Sequence, residues 1–195
     1  MRKRGAVGLV DQIDCGVCLL RRWRTDDKAS LVRYANNRSV SRNMRDGFPN
    51  PYTEWDADAW LALATDCDRA PWMFAIEVNV EAVGGIGLER GRDIERHTAE
   101  IGYWLGEPFW GRGIATAAVR GITLRAFEAT DLYRLYASVF AWNPASMRVL
   151  EKAGYHREGT LIRSGIKDGV VLDRVIYAIT RDPGLPYATE ESVSV

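Results

Sequence analysis

Apolar and polar positions divide the chain into short alternating blocks, and the block that organises the others runs from Ala99 to Ala129. Ile101 to Leu105 is dense in apolar and aromatic residues, has the length of a strand, and is closed by the breaker Gly106-Glu107-Pro108. From Ile114 the apolar side chains recur at Ala118, Ile122 and Ala126, with Ala115 and Val119 beside them, which is the spacing of one helix face. Trp110-Gly111-Arg112-Gly113 lies between, so the order is strand, glycine turn, helix. Such a turn aims backbone N–H groups and the positive end of a helix dipole at one point, and two residues without side chains let an anion approach. A phosphate or pyrophosphate is the expected visitor.

The flanking blocks alternate in the same way. Cys18 to Trp23 predicts a strand, and Thr25-Asp26-Asp27 then caps a helix that carries Leu31, Val32 and Tyr34 inward and stops at Asn36-Asn37. Arg38 to Asn50 predicts a loop and Thr53 to Ala64 a second helix with Thr53 as its cap. Trp72 to Val78 and Ala82 to Leu88 predict a hairpin whose turn chemistry is weaker than Asn-Gly. Gly84, Gly85 and Gly87 inside its second strand signal a bulge or a close approach, or tight packing against a helix. Gly91 to Arg96 is a charged turn, with Arg90, Arg92 and Arg96 on a solvated edge. After the central helix, Arg134 to Phe140 predicts a strand. Asn143 is then a good N-cap with Pro144 at the first helical position, Met147 and Leu150 inward and Gly154 at the end. Tyr155 to Arg163 and Val171 to Ile179 predict a last antiparallel pair linked by Gly165 to Gly169. The alternation gives a mixed α/β domain.

Composition narrows the function classes. A length of 195 residues suits one domain, and 47% apolar residues supply a core. With 26 basic and 26 acidic residues the net charge is zero, which argues against a nucleic-acid partner bound by a broad basic face. The charged start is followed by an apolar run too short for a signal peptide and interrupted by Asp11, and no segment is long enough to span a membrane. A cytoplasmic location without membrane partners is therefore expected. Cys15, Cys18 and Cys67 cannot form a disulfide framework, and Cys15-Gly16-Val17-Cys18 lacks the second ligand pair of a zinc site, so no metal is expected.

The glycine turn is not a Walker loop, which needs four residues between its glycines and then Lys followed by Ser or Thr. It also departs from the dinucleotide fingerprint, since Thr116 stands where a small residue belongs and the next strand ends in Ala141 and Trp142 rather than an acid. It does resemble motif A of the GNAT acetyltransferases, with Gly113 and Ala115 on the small positions and Trp110 in place of a Gln or Arg. The stretches NPYTEWDADAWL, AEIGYWLGEPFWGRGIATAAVRG, NPASMRVLEKAGYHREG and KDGVVLDRVIYAI are similar, in this order and spacing, to RimJ/RimL-type ribosomal-protein N-acetyltransferases, over roughly Cys18 to Ile179.

The resemblance implies a GNAT fold of class α/β (α+β), a mixed sheet of about six to seven strands with flanking helices. It divides the chain into an N-terminal extension over 1–17, the acetyltransferase domain over 18–180 and a tail over 181–195. Acetyl-CoA is the implied cosubstrate and a protein N-terminus the implied acceptor, with a small amine or a non-catalytic acyl-CoA-binding domain as alternatives and a homodimer as a candidate assembly. Trp110, Gly111, Arg112, Gly113, Ile114 and Ala115 would cradle the pyrophosphate, main-chain groups of Tyr103 and Leu105 would hold the pantetheine arm, and Asn143 would contact that arm or serve only as a cap. The Arg38 to Asn50 loop and the helix after it would wall the acceptor site, where Phe48, Tyr52 and Trp55 are candidates for acceptor contacts or core packing. Leu150 stands where many members carry a tyrosine that protonates the departing thiolate, and Ser146 is the implied substitute. Glu100 is a candidate base, or a purely structural charge. Cys67, in an acidic context, is a poor nucleophile, so direct attack by the amine is expected.

Overall fold

The computed structural model describes residues 11–185. The outer ends of the predicted extension and tail, 1–10 and 186–195, lie outside the described residues. One eight-stranded sheet carries the fold, in the order β1(Gln12–Asp14), β2(Leu19–Arg21), β3(Met73–Val78), β4(Glu81–Arg90), β5(Thr98–Leu105), β6(Arg134–Phe140), β8(Val170–Thr180), β7(His156–Lys167). All neighbours are antiparallel except β5 and β6. The additional strand is β1, three residues inside the predicted extension that pair with β2 across the Cys15 to Cys18 turn.

Two layers cover the sheet. On one face α4(Ile114–Ala129) buries Ile114, Ala118, Ile122 and Ala126, the predicted stripe, against Ile101, Leu105, Leu135 and Val139, with α5(Pro144–Lys152) contributing Leu150. On the other, α1(Lys28–Ala35) and α3(Glu54–Ala64) pack Leu31, Ala35, Ala57 and Leu61 around Trp23 and Trp104. Side chains alternate along a strand, so odd positions of β5 face α4 and even positions face α1 and α3. Among the described residues no helix is long and apolar enough to cross a membrane.

Local departures from the predicted elements have local causes. Thr53 caps α3 with a reciprocal box to Asp56. Thr25, in contrast, opens a 3₁₀ turn, and α1 begins only at Lys28. Asp27 is taken up instead by Arg21, which is 3% exposed, through two 2.7 Å bonds, and by the Arg24 N–H at 2.8 Å. A buried guanidinium needs such a partner, and Glu77 on β3 is the second. The expected loop after Asn37 contains one short helix, α2(Arg38–Ser41), capped by the Asn37 side chain.

In the second strand of the first hairpin the register shifts opposite Ile76 and Glu77, a bulge that leaves Val83 unpaired with β3. The close approach comes from neighbouring strands and the residues flanking them rather than from a helix. At Gly85 it comes from aromatic rings, a Cβ there lying 2.8 Å from Trp104 Nε1 and 3.1 Å from Trp23, and at Gly84 and Gly87 from the main-chain carbonyls of Trp104 and Trp72. The hairpin turn itself puts Asn79 at φ 51° and Val80 at φ 67°. A β-branched residue in the left-handed region is strained, and Val80 is 83% exposed, so nothing repays that cost through burial. Val80→Gly is expected to raise stability by about 0.5–1 kcal/mol, read from the urea midpoint; a lower midpoint would refute the strain.

Candidate functional site

The only parallel junction among the described residues, between β5 and β6, is short. β5 and β6 pair at Thr98, Ala99 and Glu100 against Arg134, Leu135 and Tyr136; beyond these, β5 stays on β4 and β6 on β8, and the strands part. Hydrogen-bond alternation decides which main-chain groups face the gap. The Gly106 N–H donates to the Val83 carbonyl at 2.8 Å across β4 and β5, so Leu105 and Tyr103 turn their main-chain groups away from β4. The Ala141 N–H donates to the Asp173 carbonyl at 3.0 Å, so Phe140 and Ser138 turn theirs away from β8. The Asn143 N–H takes the Phe140 carbonyl at 2.8 Å, so Phe140 offers only its N–H, and the main-chain groups left on the two walls are of the kind an extended amide-bearing ligand could satisfy as a strand would. Trp110 Nε1 donates to the Leu105 carbonyl at 2.7 Å, so of that residue's two groups only the N–H is left. This bond is what an indole does at a position where the resemblance leads one to expect a Gln or Arg. It ties the turn to the strand end, with the ring 44% exposed.

The turn beyond it has a geometry that could receive an anion. Gly111 and Gly113 hold φ of 73° and 78°, and a Cβ on either would meet nothing within 4 Å, so the space before them is open. Gly113 is the N-cap of α4 and no side chain bonds the helix start, leaving the N–H groups of Ile114, Ala115 and Thr116 for a ligand. Arg112 is exposed beside them, its guanidinium 5.5 Å from the Phe109 ring. The predicted cradle residues are thus brought together by one turn.

Asn143 acts as the N-cap of α5, its side chain accepting from the Ser146 N–H at 3.2 Å. Ser146 Oγ is then left to the phenol of Tyr103, 2.8 Å away. The sequence marked Tyr103 only for its main chain; its hydroxyl reaches α5 from an odd position on β5, and burial pushes its pKa upward. Leu150 is fully buried, so no acid stands at that position.

Glu100, at an even position, lies on the opposite face. Arg45, from the segment between α2 and α3, holds its carboxylate in an ion pair, a partner 55 residues away that no local pattern announces. Phe48 and Tyr52 pack toward Trp104, and burial pushes the Tyr52 hydroxyl up to about 12. Trp55 stays 76% exposed at the rim. Cys67 lies apart from the reacting centre, among the Thr65 to Asp68 turn. Cys15 and Cys18 are free thiols facing α4, and among the described residues no cluster of three or more metal-ligating side chains gathers. The cleft running from the glycine turn through the gap to Trp55 has a volume of about 2130 Å³, beyond the ~300–1,000 Å³ of a small-ligand pocket and large enough for two substrates together.

Parted strands, an open glycine turn and an uncapped helix start give this site a geometry that could take a phosphate-bearing, amide-rich arm. The chain belongs to the GNAT acetyltransferase family: the family model described as "Acetyltransferase (GNAT) domain" matches residues 18–156. It is similar to the probable N-acetyltransferase YjcK of Bacillus subtilis, 47% identical over 83 residues, covering 42% of this chain and 45% of that protein. It is also similar to the ribosomal-protein-serine acetyltransferase of Escherichia coli, 31% identical over 106 residues, 54% of this chain and 59% of that one. The chain thus spans about half the length of these curated relatives. Among solved structures, RimJ of Mycobacterium smegmatis in complex with CoA-disulfide superposes with a TM-score of 0.70 at 30% identity, covering 91% of this chain and 88% of that one.

Proposed function

We propose that this protein transfers the acetyl group of acetyl-CoA to the α-amine of a protein N-terminus, by direct attack in a ternary complex. The observation that carries this reading is the placement of Glu100 and of the Ser146 hydroxyl on opposite faces of the sheet at one gap. An amine approaching from the α1 and α3 side meets the carboxylate, while a thiolate departing on the α4 side meets the hydroxyl. Acetyl-CoA fits the gap because its pyrophosphate suits the Gly111 to Ala115 turn and its two amides suit the free groups of Tyr103, Leu105, Ser138 and Phe140. The nitrogen bonds to the acetyl carbon, the carbon–sulfur bond breaks with its electron pair on sulfur, and the amine proton leaves through water toward Glu100.

The α-amine is favoured over a lysine because one carboxylate is modest help, and an α-amine needs little. The relative named for a ribosomal-protein serine supports the same acceptor class. A panel with colorimetric detection of released CoA thiol tests this: peptides with a free N-terminal serine or alanine should turn over, and the same peptides blocked at the N-terminus should not. Turnover confined to spermidine or an aminoglycoside would reject the protein acceptor, and acetyl-CoA binding without turnover of any amine would favour the non-catalytic reading.

A further inference from the structure

We infer that Tyr103 is a positioning residue for the leaving group, holding the Ser146 hydroxyl so that its hydrogen points into the gap between β5 and β6; this rests on the acetyl transfer proposed above. The hydrogen count carries the argument. The Ser146 N–H is taken by Asn143 at 3.2 Å, and the Ser146 carbonyl lies in α5, where the helical pattern gives it the Leu150 N–H. The phenol of Tyr103 has one hydrogen and two acceptors in reach, Ser146 Oγ at 2.8 Å and the Ser146 carbonyl at 3.2 Å. The carbonyl already holds one helical bond and offers the longer of the two contacts, so the phenol's hydrogen is assigned to Oγ rather than to the carbonyl's second lone pair. That leaves the Ser146 hydrogen free, with the gap as its open direction.

As the carbon–sulfur bond breaks, the electron pair goes to sulfur, which accepts the Ser146 hydrogen bond while anionic and is protonated from solvent on release. The phenol keeps its own proton throughout: burial raises its pKa, so it remains a donor and polarises the serine without ionising. A lone serine hydroxyl rotates freely and must find its direction in each turnover; a serine pinned by a phenol does not. Tyr103 therefore supplies orientation, while Ser146 supplies the contact with sulfur.

The test is a double-mutant cycle with an acceptor peptide, read as kcat, acceptor KM and acetyl-CoA affinity by titration. Tyr103→Phe keeps the ring and should lower kcat about tenfold, with KM and acetyl-CoA affinity within about threefold of wild type. In a Ser146→Ala background the same change should cost nothing further, because the relay is already cut; a packing defect would be felt equally in both backgrounds. In a Ser146→Thr background, where a hydroxyl remains, the Tyr103→Phe loss should return. Equal losses in the wild-type and Ser146→Ala backgrounds, or a Tyr103→Phe enzyme within twofold of wild type, would overturn the inference while leaving acetyl transfer standing. Wild-type protein that binds acetyl-CoA and acetylates no amine would overturn both.

Discussion

Gly113→Val is expected to abolish acetyl-CoA binding. At φ 78° the residue sits where only glycine is unstrained, and the added side chain would enter space that is now open, where the pyrophosphate meets the helix start. Two separate losses follow. Strain lowers the stability of the unliganded variant by about 1–2 kcal/mol, and occupancy removes the ligand's contribution. Acetyl-CoA at a hundredfold excess over its Kd should stabilise wild type by about 2.7 kcal/mol, which for a domain of this size is roughly 5–10 °C in Tm, and the variant by nothing measurable. A thermal shift retained in Gly113→Val would mean that the turn is not the pyrophosphate cradle. No shift in wild type would remove acetyl-CoA from the proposal altogether.

The other large effect falls on turnover. An α-amino group titrates near 7.7–8.0 and a lysine amine near 10.4, so at pH 7.5 roughly a third of the former but only about 0.1% of the latter is neutral. The acceptor proposed here thus requires one base and one group to receive the thiolate. Glu100→Gln, which preserves size and a hydrogen bond to Arg45, and Ser146→Ala are each expected to lower kcat by about 10 to 10³-fold with little change in acetyl-CoA affinity. Single-turnover and steady-state rates with a serine peptide measure this. Rates within threefold of wild type in both variants would assign catalysis to positioning alone.

The helix-forming stripe from Ile114 and the caps at Thr53 and Asn143 were legible in the sequence because each depends on residues within one or two turns of itself. The glycine turn was legible for the same reason, its function being a local backbone conformation. β1 escaped because three edge residues with no apolar run carry too little pattern, and α2 because four residues with a single apolar one, Val40, hang on the single cap Asn37. The parting of β5 from β6 leaves no local mark at all, since either strand would read the same if paired to its end. Arg45 beside Glu100 and Tyr103 beside Ser146, separated by 55 and 43 positions, are consequences of that topology. The Trp104 and Trp23 rings that account for Gly85 also come from outside its own strand, beyond the reach of a local pattern.

In the proposed complex the gap would hold its ligand with peptide groups, and peptide groups are the same whatever side chain a residue carries. Tyr103 shows what that permits: its backbone lines the gap while its phenol bonds Ser146 on α5. Side chains at 138 and 140, both half-buried, could therefore be exchanged for new proton donors or new acceptor contacts without rebuilding the grip. A scaffold of this kind separates the constant part of its chemistry from the variable part within single residues, which makes acceptor range open to change one substitution at a time.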